Sequence, residues 1–328
     1  MTSIAIIGAG LSGLTAATLL NNNATVTVFE KSRGVSGRMS TRRAEAFQFD
    51  HGAQFFTAKT DAFNDFIRPM MEQGVIQRWD ARLVEFENRQ ISASYHWDEH
   101  CPHYVGAPSM SAVAKYLSRD LTVNLGVRVA SVTREQGQWH LTDDQGNSLG
   151  RYDWLISAAP VQQAVDLLPE SFAFYPQMKS VQMKACFSLM LGFEHPLAID
   201  FDAAFVKAED ISWISVNSSK PNRNEAFCLL VNSTNQWAEA HIDDDRDDVM
   251  HYLCEQVGAI IGHDVTRASH KAMQGWRYAN IEAQAGEAYY IDASQQLAAC
   301  GDWCIEGRVE AAFTSGFQLA NQLLQKIK

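Results

Sequence analysis

The chain has 328 residues, 46% of them hydrophobic, with 27 Lys and Arg against 38 Asp and Glu for a formal charge of −11. That length and apolar content suit two packed domains, while the acidic balance argues against nucleic acid and anionic membrane surfaces as partners. No run approaches the roughly 18 apolar residues of a membrane-spanning helix, and the short N-terminal apolar run lacks a basic flank, so no signal peptide is read and a cytoplasmic enzyme is expected.

Ser3-Ile4-Ala5-Ile6-Ile7 reads as a buried strand that runs into Gly8-Ala9-Gly10-Leu11-Ser12-Gly13. Leu11, Leu14, Ala17 and Leu20 follow at helical spacing, then Val26-Thr27-Val28-Phe29-Glu30 as a second strand. Strand, glycine turn, helix, strand and acid together form a dinucleotide-binding unit. Gly8 permits the tight turn, Gly10 lets backbone approach a pyrophosphate, and Gly13 lets the helix pack close to the sheet. The first helical turn, with Leu11 and Ser12, offers free N–H groups to phosphate. Glu30 lies where a carboxylate accepts hydrogen bonds from ribose hydroxyls. A 2′-phosphate there would meet a like charge, so NADP is not expected in this site.

The next segment, Lys31 to Met39, carries a second glycine-and-arginine loop with Gly37 and Arg38. A nicotinamide dehydrogenase has no need of it. A flavin enzyme uses such a loop to cross the FAD pyrophosphate, with the arginine adding charge-assisted hydrogen bonds.

Further along, Met110 to about Leu117 reads as a helix, and Leu121–Val123 and Val127–Val132 as strands. Gln138–Thr142 continues through a turn at 143–147 as a hairpin. Trp154–Ser157 reads as a buried parallel strand, and Lys184–Phe193 and Ala226–Val231 as strands of a second domain. The acids at 243–248 read as the capped first turn of a helix running to about Val257. His96, His100, Cys101 and His103 crowd together, but their loop setting favours a substrate-domain loop over a metal site. The six cysteines include no C-x2-C pair and are expected as small core side chains.

Near the C-terminus, Leu297-Ala298-Ala299 leads into Cys300-Gly301-Asp302, and a helix begins near Val309. A Gly-Asp pair after a strand suits hydrogen bonding to a ribityl chain. A helix N-terminus at Val309 suits the flavin edge where negative charge develops on reduction.

At this point the chain resembles the bacterial renalases. The matching stretches are Lys31–Gly34, Gly37–Ser40, Gly52–Thr57, Ser218–Pro221, Trp276–Ala279, Cys300–Cys304 and Gly307–Glu310, in family order across residues 4 to 320. Ser36 departs from the pattern, since glycine is usual there; serine fits if its φ stays below zero. The resemblance implies non-covalent FAD and oxidation of the 2- and 6-dihydro isomers of NAD(P)H, with O2 reduced to hydrogen peroxide. It adds Met39, Gln54 and Phe55 to the expected FAD contacts and places the backbone near Val129 against the adenine. Cys304 lies downstream of the Gly-Asp pair, whereas covalent attachment in amine oxidases uses a cysteine well upstream.

The expected fold is therefore α/β: a discontinuous Rossmann-type FAD-binding domain (1–75, 107–165 and 285–328) with an inserted mixed β-sheet substrate domain (76–106 and 166–284). The substrate-side candidates are Phe56, Thr57, Trp237, Trp276, Tyr278 and Arg308, flat or orienting groups around a ring that needs no base to lose hydride. Two alternatives stay open. One is an amine oxidase, with Lys184 near the strand that would carry a lysine close to flavin N5. The other is a flavin-binding protein without turnover. Oligomeric state and the choice between NAD and NADP isomers are not encoded in any motif.

Overall fold

The computed structural model describes residues 1–282, 284 and 286–327, so the expected boundary at position 285 lies outside the described residues. Two sheets organise the chain. The first has six strands in the order Tyr290–Asp292, Leu297–Ala299, Trp154–Ser157, Ser3–Ile7, Thr25–Glu30 and Thr122–Leu125. Its central pairings are parallel, with Ile4 opposite both Trp154 and Val26. Ile4, Ala5 and Ile6 are fully buried, as expected for a strand covered on both faces.

The second sheet has seven strands in the order His270–Asn280, Lys184–Phe193, Phe227–Ser233, Ile211–Val216, Ala203–Lys207, Arg82–Glu87 and Gln90–His96. It is mixed: Ala203–Lys207 and Arg82–Glu87 pair parallel, and the rest antiparallel. The helix Arg246–Ile261 packs on this sheet and shares a core with Phe187, Leu189, Leu229 and Ile214. Asp245 caps it, accepting from the N–H groups of Asp247 and Asp248, and it stops at Gly262 in the left-handed region. The acidic run is thus a cap, and the helix runs one turn beyond the expected end at Val257.

The expected hairpin is present, Gln138–Asp143 pairing with Ser148–Tyr152. His103 stacks on Trp97 at 3.6 Å, and its Nδ1 meets the Cys101 carbonyl at 2.7 Å. No described helix is long and apolar enough to cross a membrane.

The long C-terminal helix, Val309–Leu324, lies against the first helix, Leu11–Leu20. Gly316 makes this possible, because a Cβ there would fall 2.2 Å from the Ser12 carbonyl oxygen. Gly13 acts likewise: its Cβ would fall 2.1 Å from the Gly8 carbonyl oxygen. The N-terminal glycine turn and the C-terminal helix are therefore locked together.

A buried ionic cluster joins the end of the strand Phe47–Phe49 to the connection between Ile211–Val216 and Phe227–Ser233. Asp50 and the side chains of Lys220 and Arg223 are fully buried. Arg223 Nη2 lies 2.5 Å and Lys220 Nζ 3.6 Å from Asp50 Oδ2. Asp50 Oδ1 accepts from Thr41 Oγ1 at 2.7 Å and from the Met110 N–H at 3.0 Å. Burial alone would raise the Asp50 pKa, but the two cations and these donors hold it below the ordinary value of 3.8.

Ser36 does not keep φ below zero. It sits at φ +118 and is buried, with its N–H on the Ala9 carbonyl. The serine is strained because the loop must turn back onto the glycine turn.

Two outcomes follow from these contacts. Asp50→Asn leaves two buried cations uncompensated and should cost about 3–5 kcal/mol in denaturant unfolding. That advantage of wild type should be complete above pH 3.8 and fade as acid protonates the folded carboxylate; a cost under about 1 kcal/mol would remove the cluster's structural role. Ser36→Gly should raise stability by about 1 kcal/mol, read as a higher thermal midpoint; a lower midpoint would mean the serine is unstrained.

Candidate active site

A cavity of about 1890 Å³ runs between the glycine turn and the second sheet. It exceeds the roughly 300–1,000 Å³ of a single small-molecule pocket, so it has room for a dinucleotide and a second ligand. Gly8, Gly10, Leu11, Ser12, Glu30, Lys31, Gly37, Arg38 and Met39 line it. So do Val129, Gly301, Asp302 and Val309, brought from distant parts of the chain. Gly13 does not; it supports the turn from behind, as its contact with Gly8 shows.

The residues present fit FAD. Gly10 has an ordinary φ of −77, and a Cβ built there would meet no protein atom within 4 Å. Nothing inside the chain requires glycine at that position; a pyrophosphate crossing the helix N-terminus does. Gly37 closes the other side, its Cβ position 3.2 Å from the Gly10 Cα.

Glu30 is buried, and each carboxylate oxygen accepts one backbone N–H: Oε2 from Ala9 at 2.9 Å and Oε1 from Ser32 at 2.8 Å. Glu30 lines the cavity in this fixed orientation, so its remaining lone pairs are the ones that would meet ribose hydroxyls. Lys31 reaches Gln163 Oε1 at 2.9 Å across the same end of the cavity.

Arg38 and Asp302, both expected at the ligand, are also bound to each other. They form a bidentate pair with each other, Nη1 meeting Oδ2 at 2.8 Å, and Arg38 Nη1 also donates to the Ala279 carbonyl at 2.9 Å. The planar fork matches a carboxylate better than any single contact would. Two of the five guanidinium donors stay available for phosphate.

Gln54, Phe55, Phe56 and Thr57 do not line the cavity. The wall there is Gly52 and Ala53, drawn onto the Arg38 loop: Ala53 N–H donates to the Arg38 carbonyl at 2.8 Å, and a Gly52 Cβ would fall 1.8 Å from that oxygen. Gln54 stands behind them. Its Nε2 donates to the Asp50 and Gly52 carbonyls, and its Oε1 accepts from Ser215 Oγ and Lys220 Nζ. Phe55 packs on Trp97, and Phe56 bridges Tyr104 in the core.

Trp237 is also elsewhere. It stacks on Tyr252 at 5.2 Å and meets Phe187 edge-on, on the helix-covered side of the second sheet. An aromatic near a predicted strand carries no signal of which face it will join. Trp276, Tyr278 and Arg308 do line the cavity. Arg308 is exposed, with Nε 3.3 Å from Glu306 Oε2. Glu310 ties the helix start to the Lys59–Thr60 loop through both N–H groups and Thr60 Oγ1.

Sequence reasoning missed the second-sheet floor. Cys186, Ser188, Ser212, Asn232, Gln274 and His51 line the cavity. Alternation along Lys184–Phe193 was the available signal, because Cys186 and Ser188 share one face. Asn232 Nδ2 donates to Ser188 Oγ at 2.7 Å. Burial pushes the Cys186 thiol up to about 11, so it stays protonated. His51 stacks on Trp276 at 5.3 Å, and the Trp276 indole N–H donates to the His51 carbonyl at 2.8 Å. Burial, then the nearby Arg42 charge, lower the His51 pKa to about 4, so its ring is neutral. Lys184 reaches Glu282 and does not line the cavity.

Gly10→Val should abolish FAD binding in a folded protein, and Asp302→Ala should weaken it by releasing Arg38 as well. Flavin absorbance of purified protein reads both; full FAD content in folded Gly10→Val would refute the cofactor site.

Comparison with known proteins agrees with this geometry. An NAD(P)-binding Rossmann-like domain model matches residues 6–69, and the flavin containing amine oxidoreductase model matches residues 90–324. Renalase of Mus musculus is 20% identical over 313 residues, spanning 88% of this chain and 87% of that protein. An Exiguobacterium protein provisionally assigned as a protoporphyrinogen oxidase superposes with a TM-score of 0.79 at 11% identity, covering 99% of both chains. Cyclohexylamine oxidase from Brevibacterium oxydans does so with a TM-score of 0.73 at 12% identity, again over 99% of both. At such identities the solved structures establish the fold alone. The family model spans most of the chain, and the chain therefore belongs to the flavin containing amine oxidoreductases, as a renalase-like member that uses FAD.

Proposed function

We propose that the chain oxidises dihydronicotinamide dinucleotides that carry their hydride at ring C2 or C6, returning NAD(P)+. The observation that carries this reading is charge. On a chain of net charge −11, the cavity is lined by nine Lys and Arg against four Asp and Glu. Arg38, Arg277 and Arg308 have acidic partners in Asp302, Asp243 and Glu306, and the six other cations favour a polyanion over a protonated amine in the cleft. The renalase relative supports the same reading, and the Lys184 position does not favour the amine oxidase alternative.

When bound, FAD supplies the two-electron acceptor that takes hydride and returns the electrons to O2. The protein's part is placement. Trp276, held by its bond to the His51 carbonyl, gives a flat wall for a pyridine ring. Asn232 and Gln274 offer amide groups to orient a carboxamide, and the buried Ser188 hydroxyl holds Asn232 in place. A dihydropyridine becomes an aromatic cation on losing hydride, so no residue need remove a proton; one solvent proton completes hydrogen peroxide. The lining matches that demand, with His51 neutral and Cys186 protonated at neutral pH. Discrimination among isomers is then geometric, set by which carbon meets the acceptor. The flavin is held non-covalently in this reading, and acid should release it intact.

The test is anaerobic mixing with dihydronicotinamide isomers and with amines. The 2- and 6-dihydro isomers should bleach the flavin rapidly, with a rate showing no histidine-like step between pH 6 and 8, and peroxide should appear when oxygen returns. Faster bleaching by a primary or secondary amine would sink the proposal in favour of an amine oxidase. No bleaching by any donor would favour a flavin-binding protein without turnover.

A further inference from the structure

Arg42 is a cavity-lining cation with a single side-chain hydrogen-bond partner and no ionic one. It lies on the short strand Arg42–Ala44, half-buried, and lines the cavity wall. Its guanidinium donates to Gln274 Oε1 at 3.2 Å. Among the described residues no carboxylate lies within ion-pair distance of it. A guanidinium has five donors, and a half-buried charge without a counter-charge is unfavourable. The position is nonetheless built: the strand pairs with Phe47–Phe49, which leads directly into the buried Asp50 cluster.

The surroundings point to the substrate side. Gln274 pairs across the sheet with Ser188, and Ser188 holds Asn232. Arg42 is close enough to His51 to bear on its ring charge, and His51 stacks on Trp276. The cofactor's pyrophosphate position is served separately, by Gly10, Gly37 and Arg38. Arg43 follows on the same strand and donates to Ser109 Oγ at 3.1 Å, which meets Ser111 Oγ at 3.1 Å. Lys115, one helical turn beyond Ser111, also lines the cavity. Neither Arg43 nor Lys115 has an acidic partner within ion-pair distance among the described residues. The three cations thus lead from the half-buried floor toward solvent.

We infer that Arg42, extended by Arg43 and Lys115, is a phosphate-binding subsite for the substrate, and that it selects a dinucleotide over the bare dihydronicotinamide riboside. The inference rests on the reading of the substrate given above. It names which part of that substrate the chain recognises away from the reacting ring: the pyrophosphate. Phosphate is the chemistry a planar guanidinium fork fits, and a dinucleotide is long enough to place its ring at Trp276 and its phosphates on the cationic track.

The experiment uses the FAD-loaded enzyme. Flavin reduction is followed anaerobically with 6-dihydro-NAD and with the matching riboside, which lacks phosphate. In wild type the dinucleotide should half-saturate at about tenfold lower concentration or less, and added salt should narrow the gap. Arg42→Ala should erase most of that ratio, Arg42→Lys should keep part of it, and FAD content should stay normal in both. A wild-type ratio near one, or an unchanged ratio in Arg42→Ala, overturns the inference. Loss of FAD from folded Arg42→Ala and Arg42→Gln also overturns it, because the phosphate concerned would be the cofactor's.

A second arm does not depend on turnover. ADP-ribose titrated into the same enzyme should shift the flavin absorbance, binding wild type about tenfold more tightly than Arg42→Ala. If neither dihydronicotinamide bleaches the flavin, the proposed function fails while this arm still decides the subsite: equal binding by wild type and variant rejects it.

Discussion

The carboxylate of Asp50 is the constraint on which the site depends. Three segments converge on it: Thr41, Met110, and Lys220 with Arg223 from the connection between two strands of the second sheet. A buried carboxylate needs such partners, and each partner needs it. Burial, opposed only in part by Asp50, lowers the Lys220 pKa to about 8, so the lysine sits near the limit of remaining charged. Its ammonium also lies 5.3 Å above the Trp79 ring and 3.3 Å from Gln54 Oε1. Through Gln54 the cluster fixes the backbone of Gly52, and Gly52 with Ala53 forms the cavity wall. The cluster touches no ligand position, yet it sets where the wall stands.

The two ends of the chain meet under a different rule, close packing through missing side chains. Gly13 and Gly316 each remove a Cβ that would collide with backbone oxygen. Gly301 N–H donates to Ser315 Oγ at 2.9 Å, so the Gly-Asp pair is held by the same helix that contacts the first one. Arg38 and Asp302 then close the ring by pairing across 264 residues of sequence. A cofactor bound here is gripped by one contiguous body rather than by separate segments.

These features differ in how far sequence could reach them. The parallel strands, the glycine turn, Asp245 as a cap and the start of the last helix depend on neighbours within a few residues, so residue order alone exposes them. Asp50, Lys220 and Arg223 are joined across more than 160 positions, and nothing local marks a lysine as buried. Ser218-Ser219-Lys220-Pro221 was legible as a family stretch but not as an ion pair. Trp237 and Phe56 show the same limit from the other side. Their type suggested a wall for a flat ring, while burial against Tyr252 and Tyr104 places them in cores. Ser36 shows that a residue's fit cannot be judged without the turn it must make.

Net charge gave the most incomplete guide. A value of −11 turns attention away from nucleic acid, but it is a sum over the whole surface. Many of the acids are spent outside the cavity: Glu282 on Lys184, Asp200 and Asp202 on Arg82, and Asp245 on a helix cap. What faces the cleft is the remainder, and it is cationic. A cleft with low-dielectric walls concentrates that field, so the local sign governs what enters. Under the proposed function the acidic surface would discourage large polyanions, and the cationic cleft would admit small phosphorylated ones that fit.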